Sequence, residues 1–144
     1  IVKASSSLPY VCKIVDVDGV PMLDGGVVDS IPVGRAMERG HEHNVVVLTR
    51  NYGFRTTEKD RKIPHFIYKR FPRLRVVLSH RCSCYNEQLE MVERLEDEGR
   101  ILAIRPERKV EVDRMENDIK KLQDLYDEGY ACAEKVFAQV SFNL

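Results

Sequence analysis

The sequence lacks tryptophan and any long apolar run. The longest runs hold four apolar residues, as in Val45–Leu48, whereas a membrane-spanning helix needs about 20. No basic stretch leads into an apolar one at the amino end, so no secretory signal is indicated. We therefore expect no transmembrane segment.

A disulfide framework is also lacking, because the four cysteines follow no pattern of a small secreted domain. We expect reduced thiols and a cytoplasmic location, with the membrane periphery as the alternative location. The chain starts at Ile1 and not at methionine, which indicates a fragment or a processed chain.

What is present is enough for one globular core: 144 residues, of which 43% are hydrophobic. The net charge is zero but unevenly spread. Residues 55–81 hold nine Lys and Arg against two acids, while residues 82–144 hold nine against fifteen. The middle of the chain is basic and its carboxyl end acidic.

A β-hairpin is predicted near the amino end. Ile14–Val17 and Val20–Leu23 flank Asp18-Gly19, a dipeptide that tolerates the positive φ of a type I′ turn. The hairpin delivers the chain to Asp24.

A helix and a strand are predicted next. Pro32 opens a short helix over Val33–Arg39, which Gly40 ends. The apolar, β-branched segment Asn44–Leu48 is typical of a strand covered on both faces. This order of strand, helix and strand predicts an α/β fold with a parallel-type sheet.

The second half predicts a loop, two helices and a strand. Residues 51–64 are polar, and Pro64 is suited to the first turn of a following helix. Within Asn86–Glu98, the apolar residues Leu89, Val92 and Leu95 recur at a spacing of three, which indicates an amphipathic helix. Ile101–Ile104 predicts a strand, and a final helix is expected to begin within residues 113–118. The apolar stripe of that helix includes Ile119, Leu122, Leu125, Tyr126, Ala133, Val136 and Phe137.

The longest recognisable motif covers residues 23–32 and contains an Asp-Gly-Gly triplet at 24–26. It resembles the block of the patatin-like phospholipases that usually continues to an Asn, one further residue and a Pro. Ser30 stands at the Asn position, and Pro32 matches. Further segments that resemble this family, the last two its bacterial branch, are Ala4–Pro9, Phe71–Leu74 and Tyr85–Leu89.

The resemblance implies a serine–aspartate dyad in which Asp24 takes the proton of the nucleophilic serine. A partly buried carboxylate is a stronger base than a solvated one, which suits this role. Gly25 and Gly26 would let the backbone turn sharply and let the nucleophile's segment approach. The alternative interpretation of the triplet is a simple turn after a hairpin.

The resemblance also implies the carboxyl-terminal part of a three-layer α/β/α catalytic domain over residues 1–105, followed by a helical extension over 106–144. None of the seven serines lies in a Gly-x-Ser-x-Gly turn, and there is no glycine-rich oxyanion segment. We therefore expect a hydrolase fragment that is inactive alone, acts on an acyl ester or lipid, and lacks the amino-terminal half of its site. Its truncation predicts an exposed apolar patch or self-association that covers it.

Other candidate sites have simpler interpretations. Ser5–Ser7 are expected to form a helix cap or turn. His80, Cys82 and Cys84 would face one way on a strand and offer three zinc ligands, but no second motif supplies the closing ligands. The acids of the hairpin lack the spacing of a calcium loop. We expect no metal and no cofactor.

Residues 65–75 mix aromatic side chains with Lys and Arg. This mixture fits an anionic membrane surface, and the same composition is compatible with nucleic acid. It is equally typical of a helix with one buried and one solvated face. We expect no nucleic-acid partner. The second functional hypothesis is a non-catalytic module that binds a membrane or a protein through this segment.

Overall fold

The computed structural model describes residues 1–112 and 116–139, which form a mixed α/β fold. Two compact units interleave along the chain: residues 1–32 with 56–89, and residues 33–55 with 90–144. The predicted boundary between a catalytic part over residues 1–105 and a helical extension over 106–144 stays a prediction. The described helices are Val2–Ser5 (α1), Val33–Glu38 (α2), Pro72–Ser79 (α3), Arg81–Asp97 (α4) and Ile119–Gln139 (α5). The strands are Val15–Val17 (β1), Val20–Met22 (β2), Asn44–Val47 (β3) and Ile101–Ile104 (β4).

The predicted hairpin is confirmed in the first unit. Strands β1 and β2 pair antiparallel, with Val17 opposite Val20. The two turn residues, Asp18 and Gly19, have φ values of 51° and 80°, as a type I′ turn requires. Asp16 Oδ1 accepts a 2.9 Å hydrogen bond from the Gly19 N–H, so this carboxylate stabilises the turn.

The helix expected to start near Pro64 begins instead at Pro72. Residues 65–70 are turns, and Tyr68 has a φ of 52°, which a right-handed helix cannot include. Phe71 precedes a proline and lies outside the helix, with a non-helical φ of −129° and ψ of 70°. Proline at the first helical position needs no N–H partner, which explains the start at Pro72.

Helix α4 extends the predicted segment by five residues at its amino end. The side chains of Leu89, Val92 and Leu95 are buried, which confirms its apolar face. Gly99, with a φ of 69°, follows its last turn as expected.

Strands β3 and β4 form a parallel pair in the second unit, with Val46 opposite Ala103. The two predicted strands and the coarse α/β class are confirmed. The predicted strand, helix and strand do not form one parallel sheet, because among the described residues β2 pairs with β1 and β3 pairs with β4, in separate two-stranded sheets. The predicted coverage of β3 on both faces is wrong. Val46 is only 9% exposed, whereas Val45 and Val47 are 49% and 71% exposed. Because side chains alternate along a strand, one face of β3 packs inward and the other is open in the described residues.

Helix α5 begins at Ile119, after Asp118 accepts hydrogen bonds from the N–H groups of Lys120 and Lys121. The final helix was predicted to begin within residues 113–118, of which 113–115 lie outside the described residues. Only part of its predicted apolar stripe packs inward: Leu125, Ala133 and Val136 are half-buried, while Ile119 and Tyr126 are 81% and 68% exposed. Among the described side chains of this helix, the buried one is Cys132, which the predicted stripe did not include. Apolar side chains of β3 and α5 are therefore exposed, and the predicted truncation as their cause stays a prediction. No described helix has the length and apolar character to cross a membrane.

Candidate functional site

Asp24 precedes a single 3-10 turn, Gly25–Val27, and is half-buried. Its Oδ1 accepts a hydrogen bond of 2.7 Å from the Gly26 N–H, and its own N–H donates to the Ser7 carbonyl at 3.0 Å. Its Oδ2 has no hydrogen-bond or ion-pair partner among the residues that the structure describes. One carboxylate oxygen is therefore held in place while the other is available to accept a proton.

The two glycines differ in what surrounds them. Neither has a positive φ, so the backbone turn itself does not require glycine, contrary to expectation. A Cβ added to Gly26 would lie 3.1 Å from the Asp24 Oδ1, whereas one added to Gly25 would meet nothing within 4 Å. Gly26 thus permits the contact with Asp24, and Gly25 leaves open space beside it.

The backbone after this turn is fixed by Gln88 of α4. The Gln88 Oε1 accepts hydrogen bonds from the N–H groups of Ser30 and Ile31, at 3.1 and 3.2 Å. Its Nε2 donates to the Asp29 carboxylate at 2.8 Å. Sequence reasoning missed Gln88 because a contact across almost sixty residues leaves no local pattern.

The serines near Asp24 are structural. Ser7 is buried, and its hydroxyl donates to the Lys3 carbonyl at 2.7 Å; the Ser6 hydroxyl donates to the Val2 carbonyl. This confirms the expected helix-end turn. The Ser30 hydroxyl donates to the Gly26 carbonyl at 2.8 Å and so connects Ser30 to the 3-10 turn at Gly25–Val27.

We predict opposite effects of alanine at the two glycines. Gly25→Ala is expected to raise the free energy of unfolding by about 0.5 kcal/mol, because it restricts the unfolded chain and meets no neighbour. Gly26→Ala is expected to be about 1 kcal/mol less stable than Gly25→Ala, since its methyl group crowds the Asp24 carboxylate. Urea unfolding followed by circular dichroism measures both. Equal stability of the two variants would contradict the close contact at Gly26.

The cysteine and histidine residues weighed as zinc ligands lie around the start of α4, so they do not have the strand geometry in which all three would face one way. Asp60 accepts hydrogen bonds from the Cys82 and Ser83 N–H groups and from the Ser83 hydroxyl. The Ser83 hydroxyl in particular lowers the pKa of Asp60, while burial raises the pKa of the Cys82 thiol. No group of three or more metal-ligating side chains occurs in the described ranges.

A second polar cluster, in the other unit, surrounds Glu93. Its carboxylate accepts hydrogen bonds from Arg55, at 2.6 Å to Oε2, and from the Gly53 N–H at 2.8 Å. Arg105 lies 3.9 Å from the same carboxylate and pairs with Glu96. Arg55 chiefly lowers the pKa of Glu93, whereas burial raises the pKa of Glu96.

The sequence did contain a signal for this cluster. Glu93 lies four residues after Leu89 and one after Val92, so it falls on the apolar face of the predicted helix. An acid on a buried face predicts a basic partner. The sequence offered many arginines, so only the structure identifies Arg55 and Arg105.

Comparison with protein-family models finds a match to a domain of unknown function (DUF6363) over residues 71–142. The match covers half of the chain. The chain belongs to the DUF6363 family. The DUF6363 segment contains α3, α4, β4 and α5, including Gln88 and Glu93, whereas Asp24 lies outside it. No curated protein and no solved structure matches the chain.

Proposed function

We propose that this chain supplies the general base of a patatin-type serine acyl hydrolase, with Asp24 as the base and an acyl ester, such as a lipid ester, as the substrate. The observation that carries the proposal is the state of the Asp24 carboxylate. One oxygen is fixed by the Gly26 N–H at 2.7 Å, and the other has no partner within the described residues. A general base needs both a fixed orientation and a free lone pair.

The proposed reaction is acyl transfer in two steps. The free Asp24 oxygen takes the proton of a serine hydroxyl as the serine oxygen bonds to the ester carbonyl carbon. The proton then passes to the departing alcohol, and water releases the acid from the acyl-enzyme by the reverse sequence. The open space beside Gly25 is where the nucleophile's segment would approach.

The serine and the oxyanion donors of this reaction would come from residues outside positions 1–144, because the sequence contains no Gly-x-Ser-x-Gly turn. The test is to express the complete polypeptide that carries these residues and to assay hydrolysis of p-nitrophenyl butyrate and labelling by a fluorophosphonate. We expect turnover and stoichiometric labelling of one serine. Absence of both from the purified, folded polypeptide would refute the proposal.

Peripheral membrane binding is a second candidate, favoured by the surroundings of Phe66. Phe66 is 70% exposed, and Lys69, Arg70 and Arg73, which follow it within seven residues of sequence, are exposed as well. An apolar side chain among cations suits an anionic bilayer surface.

We predict that Phe66→Ser weakens sedimentation of the chain with phosphatidylglycerol vesicles several-fold, since the side chain no longer enters the interface. The matched control is Val20→Ser, which removes an exposed apolar side chain from the hairpin. Equal vesicle binding by the original chain and both variants would exclude this role for the segment.

A further inference from the structure

An apolar groove of about 560 Å³ lies in the second unit, lined by residues of β3, β4, α5 and the segment that follows β4. Its volume falls within the range of roughly 300–1,000 Å³ found for small-molecule sites. Apolar side chains from each of these elements line it: Val47, Ile104, Val110, Leu125, Tyr126 and Tyr130. The site is therefore suited to a hydrocarbon chain.

Two arginines, Arg50 and Arg105, line the same groove. They differ in whether acidic side chains neutralise the guanidinium. The Arg105 side chain is only 9% exposed and pairs with Glu96 and Glu93, which neutralise it. Its Nε is buried and has no hydrogen-bond partner. Arg50 stacks its guanidinium 4.9 Å from the centre of the Phe54 ring and forms no ion pair with any described residue. The groove thus combines an apolar wall with one uncompensated cation.

We propose that this groove binds a free single-chain amphiphile with an anionic head, of the fatty-acid class. The tail lies against the apolar wall, and the carboxylate meets the Arg50 guanidinium, whose planar donors match a carboxylate. A neutral or cationic head would leave Arg50 uncompensated. The assignment rests on residues of the second unit and does not depend on Asp24.

Substitution of Gly129 by a larger residue is expected to fill the groove without disturbing the core. Gly129 lies within α5 and lines the groove, and a Cβ added there would meet nothing within 4 Å. Leucine at this position also favours helix more than glycine does, so Gly129→Leu is expected to fold. Its side chain would occupy space in the groove, whereas the methyl group of Gly129→Ala fills little of it.

The test is calorimetric titration of the chain with sodium laurate below its micelle concentration, and with 1-dodecanol as a neutral analogue of equal chain length. We expect one saturable laurate site, lost or weakened at least about tenfold in Gly129→Leu and nearly unchanged in Gly129→Ala. Arg50→Gln is expected to weaken laurate about fivefold and to leave dodecanol unchanged, as for one partly exposed ion pair.

Three results would overturn the proposal. The first is the absence of saturable laurate binding, and the second is binding that Gly129→Leu does not affect. The third is a dimer in sedimentation that Gly129→Leu dissociates, since the groove would then hold a second copy of the chain. Binding to phosphatidylglycerol vesicles without binding of monomeric laurate would show that the groove contacts a membrane surface and not a free amphiphile.

Discussion

Replacing Asp24 by asparagine is expected to lower ester hydrolysis about 1,000-fold in the polypeptide that carries both halves of the proposed site, the typical size of a general-base contribution. The asparagine Oδ1 can still accept the Gly26 N–H, so the 3-10 turn is expected to remain intact. The second carboxylate oxygen becomes an NH2 group, which donates hydrogen bonds and cannot take a proton. Measurement of kcat for p-nitrophenyl butyrate, together with thermal unfolding of the variant, tests this.

Asp16→Asn is the matched control for this substitution. Asp16 also accepts a backbone N–H through Oδ1, at 2.9 Å from Gly19, but its carboxylate serves the hairpin turn. We expect it to leave kcat unchanged. Retained turnover in Asp24→Asn, or an equal loss in Asp16→Asn, would remove Asp24 from the mechanism.

Glu93→Ala is expected to lower the free energy of unfolding by about 3 kcal/mol. The Glu93 side chain is 11% exposed and accepts hydrogen bonds from Arg55 and the Gly53 N–H. Its removal leaves the Gly53 N–H without its acceptor and takes from the half-buried Arg55 its closest carboxylate. Glu90→Gln is the control, because Glu90 is 66% exposed and meets Arg55 only at 3.5 Å. Its expected cost is under about 0.5 kcal/mol. Urea unfolding of both variants measures the difference, and a cost for Glu93→Ala as small as that of the control would contradict the network.

The pH dependence of stability provides a second test of Glu93. Arg55, then the Gly53 N–H, hold the pKa of Glu93 below its ordinary value of 4.5, so the unfolded state binds its proton first as pH falls. The stabilisation by Glu93 is fully present above pH 4.5, and it is lost as pH falls through the pKa that Glu93 has in the folded state. Burial raises the pKa of Glu96, so the contribution of Glu96 runs the other way, full at low pH and lost as pH rises. We expect the stability difference between the original chain and Glu93→Gln to shrink below pH 4.5.

The elements that sequence reasoning predicted correctly are those set by local interactions. The Asp18-Gly19 turn follows from the positive φ that both residues tolerate, and α4 follows from the spacing of Leu89, Val92 and Leu95. The start of α3 was misplaced because both Pro64 and Pro72 suit a helix start. Only the left-handed conformation of Tyr68 excludes the earlier one.

The sequence identified the residues of the candidate site, and the fold determined their contacts. Asp24 was singled out from a motif, while the fixed Oδ1 and the unpartnered Oδ2 depend on coordinates. The same holds for Gly25 and Gly26, which look equivalent in the sequence but have different surroundings. The catalytic role of Asp24 and the resemblance to patatin-like enzymes stay predictions.

By itself, the sequence determined the hairpin turn, the apolar face of α4, the uneven charge and the residue types available for chemistry, since these follow from neighbours a few positions apart. Tertiary structure decided which distant groups meet: Gln88 with Ser30, and Glu93 with Arg55. It also decided which apolar faces are covered, as the exposed Val47 of β3 and Tyr126 of α5 show. The physical reason is that burial and long-range pairing depend on the path of the whole chain, which periodicity within one segment does not encode.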